Sequence, residues 1–183
     1  GIRTIAEDRQ GNLWFGTDEA GIIQLNPKTG NFSFLKNQAN NPNSISNNRV
    51  FKIAFDKDQK LWIGTENGLN IYDPVSQQVT RIKRATKNPN SLTNGIVGFT
   101  IRDLYIDNGG IFWFGTHQNG INKYDSNLAF FNYKQHNPLD KTGLSGSSIT
   151  SFKERPNGEI YVGIYGGGLN VFNPKTEVFR KVA

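Results

Sequence analysis

The chain is 183 residues long, with 21 Lys and Arg against 15 Asp and Glu and a net charge of +6 at neutral pH. Its bases are scattered, the densest run being Arg81-Ile82-Lys83-Arg84 with Lys87 nearby, so the charge reads as a solvated basic edge and argues against nucleic acid as a partner. The lack of cysteine excludes a disulfide framework and a thiolate metal centre, and no run approaches the roughly 18 continuous apolar residues that span a bilayer. Membrane attachment is therefore expected only through a parent chain. Gly1-Ile2-Arg3-Thr4 falls within a repeat and lacks the charged-then-apolar signature of a signal peptide, so a targeting segment is also expected outside these residues.

One unit recurs four times. Its hallmark runs Leu13-Trp14-Phe15-Gly16-Thr17, Leu61-Trp62-Ile63-Gly64-Thr65, Phe112-Trp113-Phe114-Gly115-Thr116 and a worn copy, Ile160-Tyr161-Val162-Gly163-Ile164. The aromatics stand 48, 51 and 48 residues apart, and an aliphatic residue precedes each by twelve positions: Ile2, Val50, Ile101 and Ile149. Self-similarity at a fixed period marks a repeat architecture.

Within each unit four short strands follow in order. The first holds Ile2 and Ile5, Val50 and Ile53, Ile101 and Leu104, or Ile149 and Phe152; a spacing of three breaks strict alternation and predicts a bulge. A turn rich in Gly and Asn follows, as in Asp8-Arg9-Gln10-Gly11-Asn12, Asp107-Asn108-Gly109-Gly110 and Pro156-Asn157-Gly158. The second strand carries the aromatic, and its glycine (Gly16, Gly64, Gly115, Gly163) signals close backbone approach between units. The third begins after Gly21, Gly68, Gly120 or Gly168 and ends at Asn26-Pro27, Asp73-Pro74, Asp125-Ser126 or Asn173-Pro174. The fourth runs from Phe32 to Leu35, Val79 to Ile82, Phe130 to Tyr133 and Val178 to Val182. No segment sustains a helical period.

Tandem units of four antiparallel strands predict an all-β fold, a β-propeller of four blades spanning about 1–48, 49–99, 100–147 and 148–183. A single blade has two faces to bury, so Trp14, Trp62, Trp113 and Tyr161 are expected between blades. Four blades rarely close a ring. The segment is expected to be an arc of a larger propeller of about seven blades, or to pair as a homodimer, with apolar faces exposed at both ends.

The copy from Ile5 to Thr17, together with the connecting element Asn41-Pro42-Asn43-Ser44-Ile45-Ser46-Asn47-Asn48 and its echo Asn88-Pro89-Asn90-Ser91-Leu92-Thr93-Asn94, resembles the two-component regulator propeller repeat. The resemblance covers essentially the whole chain. It implies a periplasmic sensor segment whose partners are the remaining blades and an output domain of the same chain, a histidine kinase or a diguanylate cyclase. It also implies an oligosaccharide ligand. Tyr161 in place of Trp and Ile164 in place of Thr depart from the pattern.

No catalytic constellation is present in the sequence. His117 and His136 are its only histidines, and no Gly-x-Ser-x-Gly elbow accompanies them. Gly166-Gly167-Gly168 lacks the Gly-Lys-Ser/Thr ending of a phosphate loop. Asp8, Asp56 and Asp107 recur at turn starts, where a carboxylate accepting backbone N–H groups accounts for them without calcium. The expectation is no metal, no cofactor and no enzyme.

In a propeller the turns between second and third strands open on one face with the inter-blade connections, and loops on a rigid frame carry function. Here the frame repeats while the tips vary: Asp18 and Glu19; Glu66 and Asn67; His117, Gln118 and Asn119; Tyr165. Carboxylates, amides, an imidazole and a phenol suit a hydroxyl-rich ligand, a neutral or acidic oligosaccharide. The connections Lys36–Asn48, Lys83–Thr100 and Lys134–Ser147 are long enough to take part. A structural platform for protein partners is the alternative reading, and a propeller lyase or hydrolase a distant third.

Overall fold

Each repeat folds into one antiparallel meander in a computed structural model that describes residues 1–82, 100–118, 120–125, 130–134, 136–140 and 142–182. Blade one holds β1 (Ile2–Glu7), β2 (Leu13–Thr17), β3 (Ile22–Leu25) and β4 (Phe32–Leu35); blade two holds β5 (Val50–Phe55), β6 (Leu61–Thr65), β7 (Gly68–Asp73) and β8 (Gln78–Arg81). Blade three holds β9 (Ile101–Ile106), β10 (Phe112–Thr116), β11 (Ile121–Asp125) and β12 (Phe130–Lys134). Blade four holds β13 (Ile149–Glu154), β14 (Ile160–Ile164), β15 (Gly168–Asn173) and β16 (Val178–Lys181). Strands pair in chain order within each sheet, and no helix occurs among the described residues. Lys83, Arg84, Lys87, the second connecting element Asn88–Asn94 and most of the connection before Thr100 lie outside the described residues.

The expected bulge is present in every first strand. Pairing slips by one residue between Ile2 and Thr4, Val50 and Lys52, Ile101 and Asp103, and Ile149 and Ser151. The odd residue at each slip is Arg3, Phe51, Arg102 or Thr150.

Blades join by two matched features. The aromatic of one blade packs on the next: Trp14 joins Ile53, Leu61, Ile63 and Tyr72; Trp62 joins Leu104, Phe112 and Phe114; Trp113 joins Ile160, Val162 and Phe172. Beside it, the second-strand glycine receives the next blade's first aliphatic residue. A Cβ on Gly16, Gly64 or Gly115 would sit 2.7 Å from Val50, 2.7 Å from Ile101 or 2.5 Å from Ile149, closer than packed carbons tolerate. Val50, Ile101 and Ile149 are accordingly fully buried.

Each tryptophan is also tied to its own turn. Asp8 accepts the N–H groups of Gln10 and Asn12 at 3.0 and 2.9 Å through one oxygen and the Trp14 indole N–H at 2.9 Å through the other. Asp56 does the same for Asp58, Lys60 and Trp62, and Asp107 for Gly109, Ile111 and Trp113. Burial pushes the Asp8 carboxyl up, but the bonds from Trp14, Asn12 and the turn backbone outweigh it and hold the group below its usual range.

Blade four changes both partners together. Arg155 replaces the aspartate and Tyr161 the tryptophan, and the guanidinium lies 5.1 Å from the Tyr161 ring centre. The connector contact changes with them. In blade two, Asn70 accepts the Ser46 N–H and donates to Ser46 Oγ, which also meets Thr65 Oγ1. Blade four has Ile164 where Thr65 would be; Ser145 Oγ turns to the Gly167 carbonyl, and Asn170 Nδ2 is left buried without a partner.

The two end faces differ, which corrects the expectation of apolar surface at both. On blade one, Ile5, Phe15, Ile23 and Phe34 align across the strands beside Leu13, Leu25 and Phe32. In blade two the matching positions include Ile53, Ile63 and Leu61, at 3, 0 and 0 % exposure, whereas Ile5 and Phe34 are 61 and 55 % exposed. This is a blade-facing surface without a blade. The far face of blade four instead shows Lys153, Arg180 and Ser151 around a half-buried Tyr161, with Leu169 and Val182 among them. Tyr161 is less buried than expected because no blade packs behind it. Residues 1–183 prepared alone are expected to associate through the blade-one face, giving a mass above one chain in light scattering. Ile5→Lys with Phe34→Glu should restore the monomer; a monomeric, thermally stable wild type would mean that the face is covered some other way, as in a closed ring.

Candidate functional site

The turns between second and third strands are held in one frame. Thr17, Thr65 and Thr116 donate their hydroxyls to the carbonyls of Gly21, Gly68 and Gly120, each at 2.9 Å. The first residue of each tip, Asp18, Glu66, His117 or Tyr165, donates its N–H to the carbonyl of Gly1, Arg49, Thr100 or Ser148 at 2.9–3.1 Å. Gly21 and Gly120 at the far side donate to Asn48 and Ser147 of the following connection at 2.9 and 3.0 Å. Every described tip is thus clipped beside the start of a first strand.

Those starts carry the bulges. A cavity of about 620 Å³ opens there, lined by Arg3, Phe51, Arg102 and Thr150 with His117, Ser148, Ile149 and Tyr165. A bulge re-aims its odd residue, so each blade turns one side chain inward at equivalent places. The guanidinium of Arg3 lies 4.8 Å from the Phe51 ring centre and that of Arg102 4.6 Å, one supplied by each neighbouring blade. Phe51 is buried beneath them, at 9 % exposure.

The expected contact residues divide accordingly. His117 and Tyr165 line the cavity, from blades three and four. Asp18 is bound by Arg3, which holds its carboxyl below the usual range, and Glu66 pairs with Arg49 at 2.7 Å. Glu19, Asn67 and Gln118 are exposed and do not line the cavity. Asn119 lies outside the described residues. The residues that sequence reasoning passed over are Arg3, Phe51, Arg102, Thr150 and Ser148. Their signal was the position directly after the aliphatic residue in each repeat, where the spacing of three already implied a bulge.

Just past the bulges the first strands are stitched together. Ile53 donates its N–H to Thr4 Oγ1 at 3.4 Å and Phe152 to Asp103 at 2.7 Å. Asp103 also accepts the Leu104 N–H at 2.9 Å and meets Lys52 Nζ at 3.1 Å. Burial pushes the Asp103 carboxyl up, and the pull of Lys52 and the two N–H groups does not fully offset it.

Residues 1–19 and 44–67 match the family model described as two component regulator propeller. Those two segments, from blades one and two, are similar to two-component regulator propeller repeats. A relative named histidine kinase P4, from Formosa agariphila, is 39 % identical over 59 residues, which are 32 % of this chain and 4 % of that protein. Two solved structures from Bacteroides thetaiotaomicron share the fold, both described as extracellular domains of hybrid two-component systems. BT4673 is 22 % identical with a TM-score of 0.79, over 99 % of this chain and 25 % of that one. BT3049 is 22 % identical with a TM-score of 0.80, over 100 % and 24 %. The propeller repeats of this chain thus span about a quarter of the solved structures they match.

Asp103 generates a pH prediction with a definite sign. Its folded carboxyl titrates above the unfolded one, so the folded state holds more protons just above roughly pH 4, and stability falls as pH rises through that window. The melting temperature of wild type should therefore drop relative to Asp103→Asn as pH is raised from about 4 to 7. A shift the other way would mean that Lys52 outweighs burial.

Proposed function

We propose that residues 1–183 are part of the ligand-sensing propeller of an extracytoplasmic signalling receptor, with no chemistry of their own. Occupancy would be relayed to a histidine kinase or diguanylate cyclase in the same chain. The observation that carries this reading is the set of tips and bulges on an invariant frame. The hydrogen bonds that fix the turns repeat from blade to blade, while the side chains they present change from arginine to phenylalanine to threonine and from imidazole to phenol. A frame held constant beneath varied chemistry is what a composite binding face requires. The likeness to a kinase and to extracellular domains of two-component systems supports the same conclusion.

The ligand proposed is an oligosaccharide. The His117 and Tyr165 side chains offer hydrogen-bonding groups and a ring for stacking, and Ser148 and Thr150 line the same cavity. One hydrogen bond contributes only about 0.5–1.5 kcal/mol, so several must converge to reach micromolar affinity, about −8 kcal/mol. The proposed compartment is the periplasm. An interaction platform is the second reading, favoured by the exposed apolar face of blade one.

Calorimetric titration of the intact receptor region with a panel of neutral and acidic oligosaccharides tests the reading. Binding by wild type and a loss of about tenfold or more in a His117→Ala, Tyr165→Ala double variant is the expected result, since that change removes one stacking and one hydrogen-bonding group. Unchanged affinity would move the site to the inter-blade connections. No binding across the panel would favour the platform.

A further inference from the structure

The bulge residues give the cavity a charge that the turn tips do not. We propose that its floor is an anion subsite in which Arg102 receives a carboxylate or sulfate group of the ligand. This rests on the oligosaccharide reading and narrows it to acidic sugars.

The other described arginines are all engaged with oxygen acceptors. Arg3 bonds Asp18, Arg49 bonds Glu66, and Arg155 and Arg180 bond Glu159. Arg9 donates to the Lys57 carbonyl, and Arg81 donates to the Asn41, Ser44 and Ile45 carbonyls. Arg102 alone among the described arginines donates to no oxygen; its contact is the face of Phe51. Arg102 is half-buried and lines the cavity, which puts its side chain within reach of a ligand held there.

The surroundings carry the same sign. Among the described residues, two arginines and no carboxylate line the cavity. Both guanidiniums are drawn to one phenyl ring, which carries no charge to neutralise them, and Asp18 pairs with Arg3 and the Gly1 ammonium but not with Arg102. A planar fork held against an aromatic face at an open cavity can accept a carboxylate or sulfate with paired hydrogen bonds. Thr150 and Ser148 line the same cavity, the Ser148 hydroxyl bonded to the His117 carbonyl.

Matched probes that differ in charge test the subsite in the intact receptor region. An oligogalacturonide is compared with its fully methyl-esterified form, and a sulfated dextran oligosaccharide with its unsulfated parent, by calorimetry at two salt concentrations. At least one charged member should bind about tenfold or more tighter than its neutral twin, with affinity falling as salt rises. Arg102→Gln should abolish that preference while Arg102→Lys keeps part of it, and circular dichroism checks that both variants fold. Neutral and charged twins binding equally, or Arg102→Gln leaving the preference intact, would overturn the anion subsite and leave the oligosaccharide reading standing. Binding of no probe at all would overturn both.

Discussion

A tryptophan indole bonded to a turn aspartate of its own blade and pressed against the next blade is the contact from which the remaining geometry follows. The aspartate folds the turn between first and second strands by taking two backbone N–H groups, and its second oxygen fixes the indole. That places the ring at a constant height on the blade. The next blade can then seat only where its aliphatic residue enters the glycine notch beside the ring, because a side chain there would collide with it. Turn, ring and notch lie within nine residues of sequence, from Asp8 to Gly16, so local folding prepares a long-range surface.

The fourth repeat shows that these parts travel together. Loss of the carboxylate accompanies loss of the indole, and an arginine stacked on a tyrosine takes their place. The threonine that meets the connector serine in blade two is replaced as well, by Ile164, and the buried Asn170 Nδ2 has no partner, as is also true of Asn122 Nδ2 in blade three. Such a nitrogen costs free energy that a full set of partners would have avoided. The face of this blade carries Lys153 and Arg180 beside Leu169 and Val182, whereas the opposite end, on blade one, is apolar like the faces between blades.

The repeat, its strands, the ring positions and the bulges were legible in the sequence because each recurs at a fixed offset from the aromatic. The indole bond was not, although the aspartate stands six residues before each tryptophan: that spacing acquires meaning only once the turn brings the two side chains to one edge. Site chemistry was legible only in part. His117 and Tyr165 lie where the turn argument put them. Asp18 and Glu66 were read as candidate ligand contacts, and each faces an arginine brought in by the first strand or its approach. Arg3, Phe51 and Arg102 look like ordinary strand residues in sequence, and only the one-residue slip reverses the side to which they point.

A double-mutant cycle on Asp56→Ala and Trp62→Phe, read by denaturant unfolding, tests most directly whether the carboxylate and the indole act as a unit. Phenylalanine keeps most of the packing against Phe112 and Phe114 but has no N–H to donate. A coupling of about 1.5–3 kcal/mol is expected, the range for a hydrogen bond to a charged group. Additivity within about 0.5 kcal/mol would show that the two side chains contribute separately, and would contradict the account.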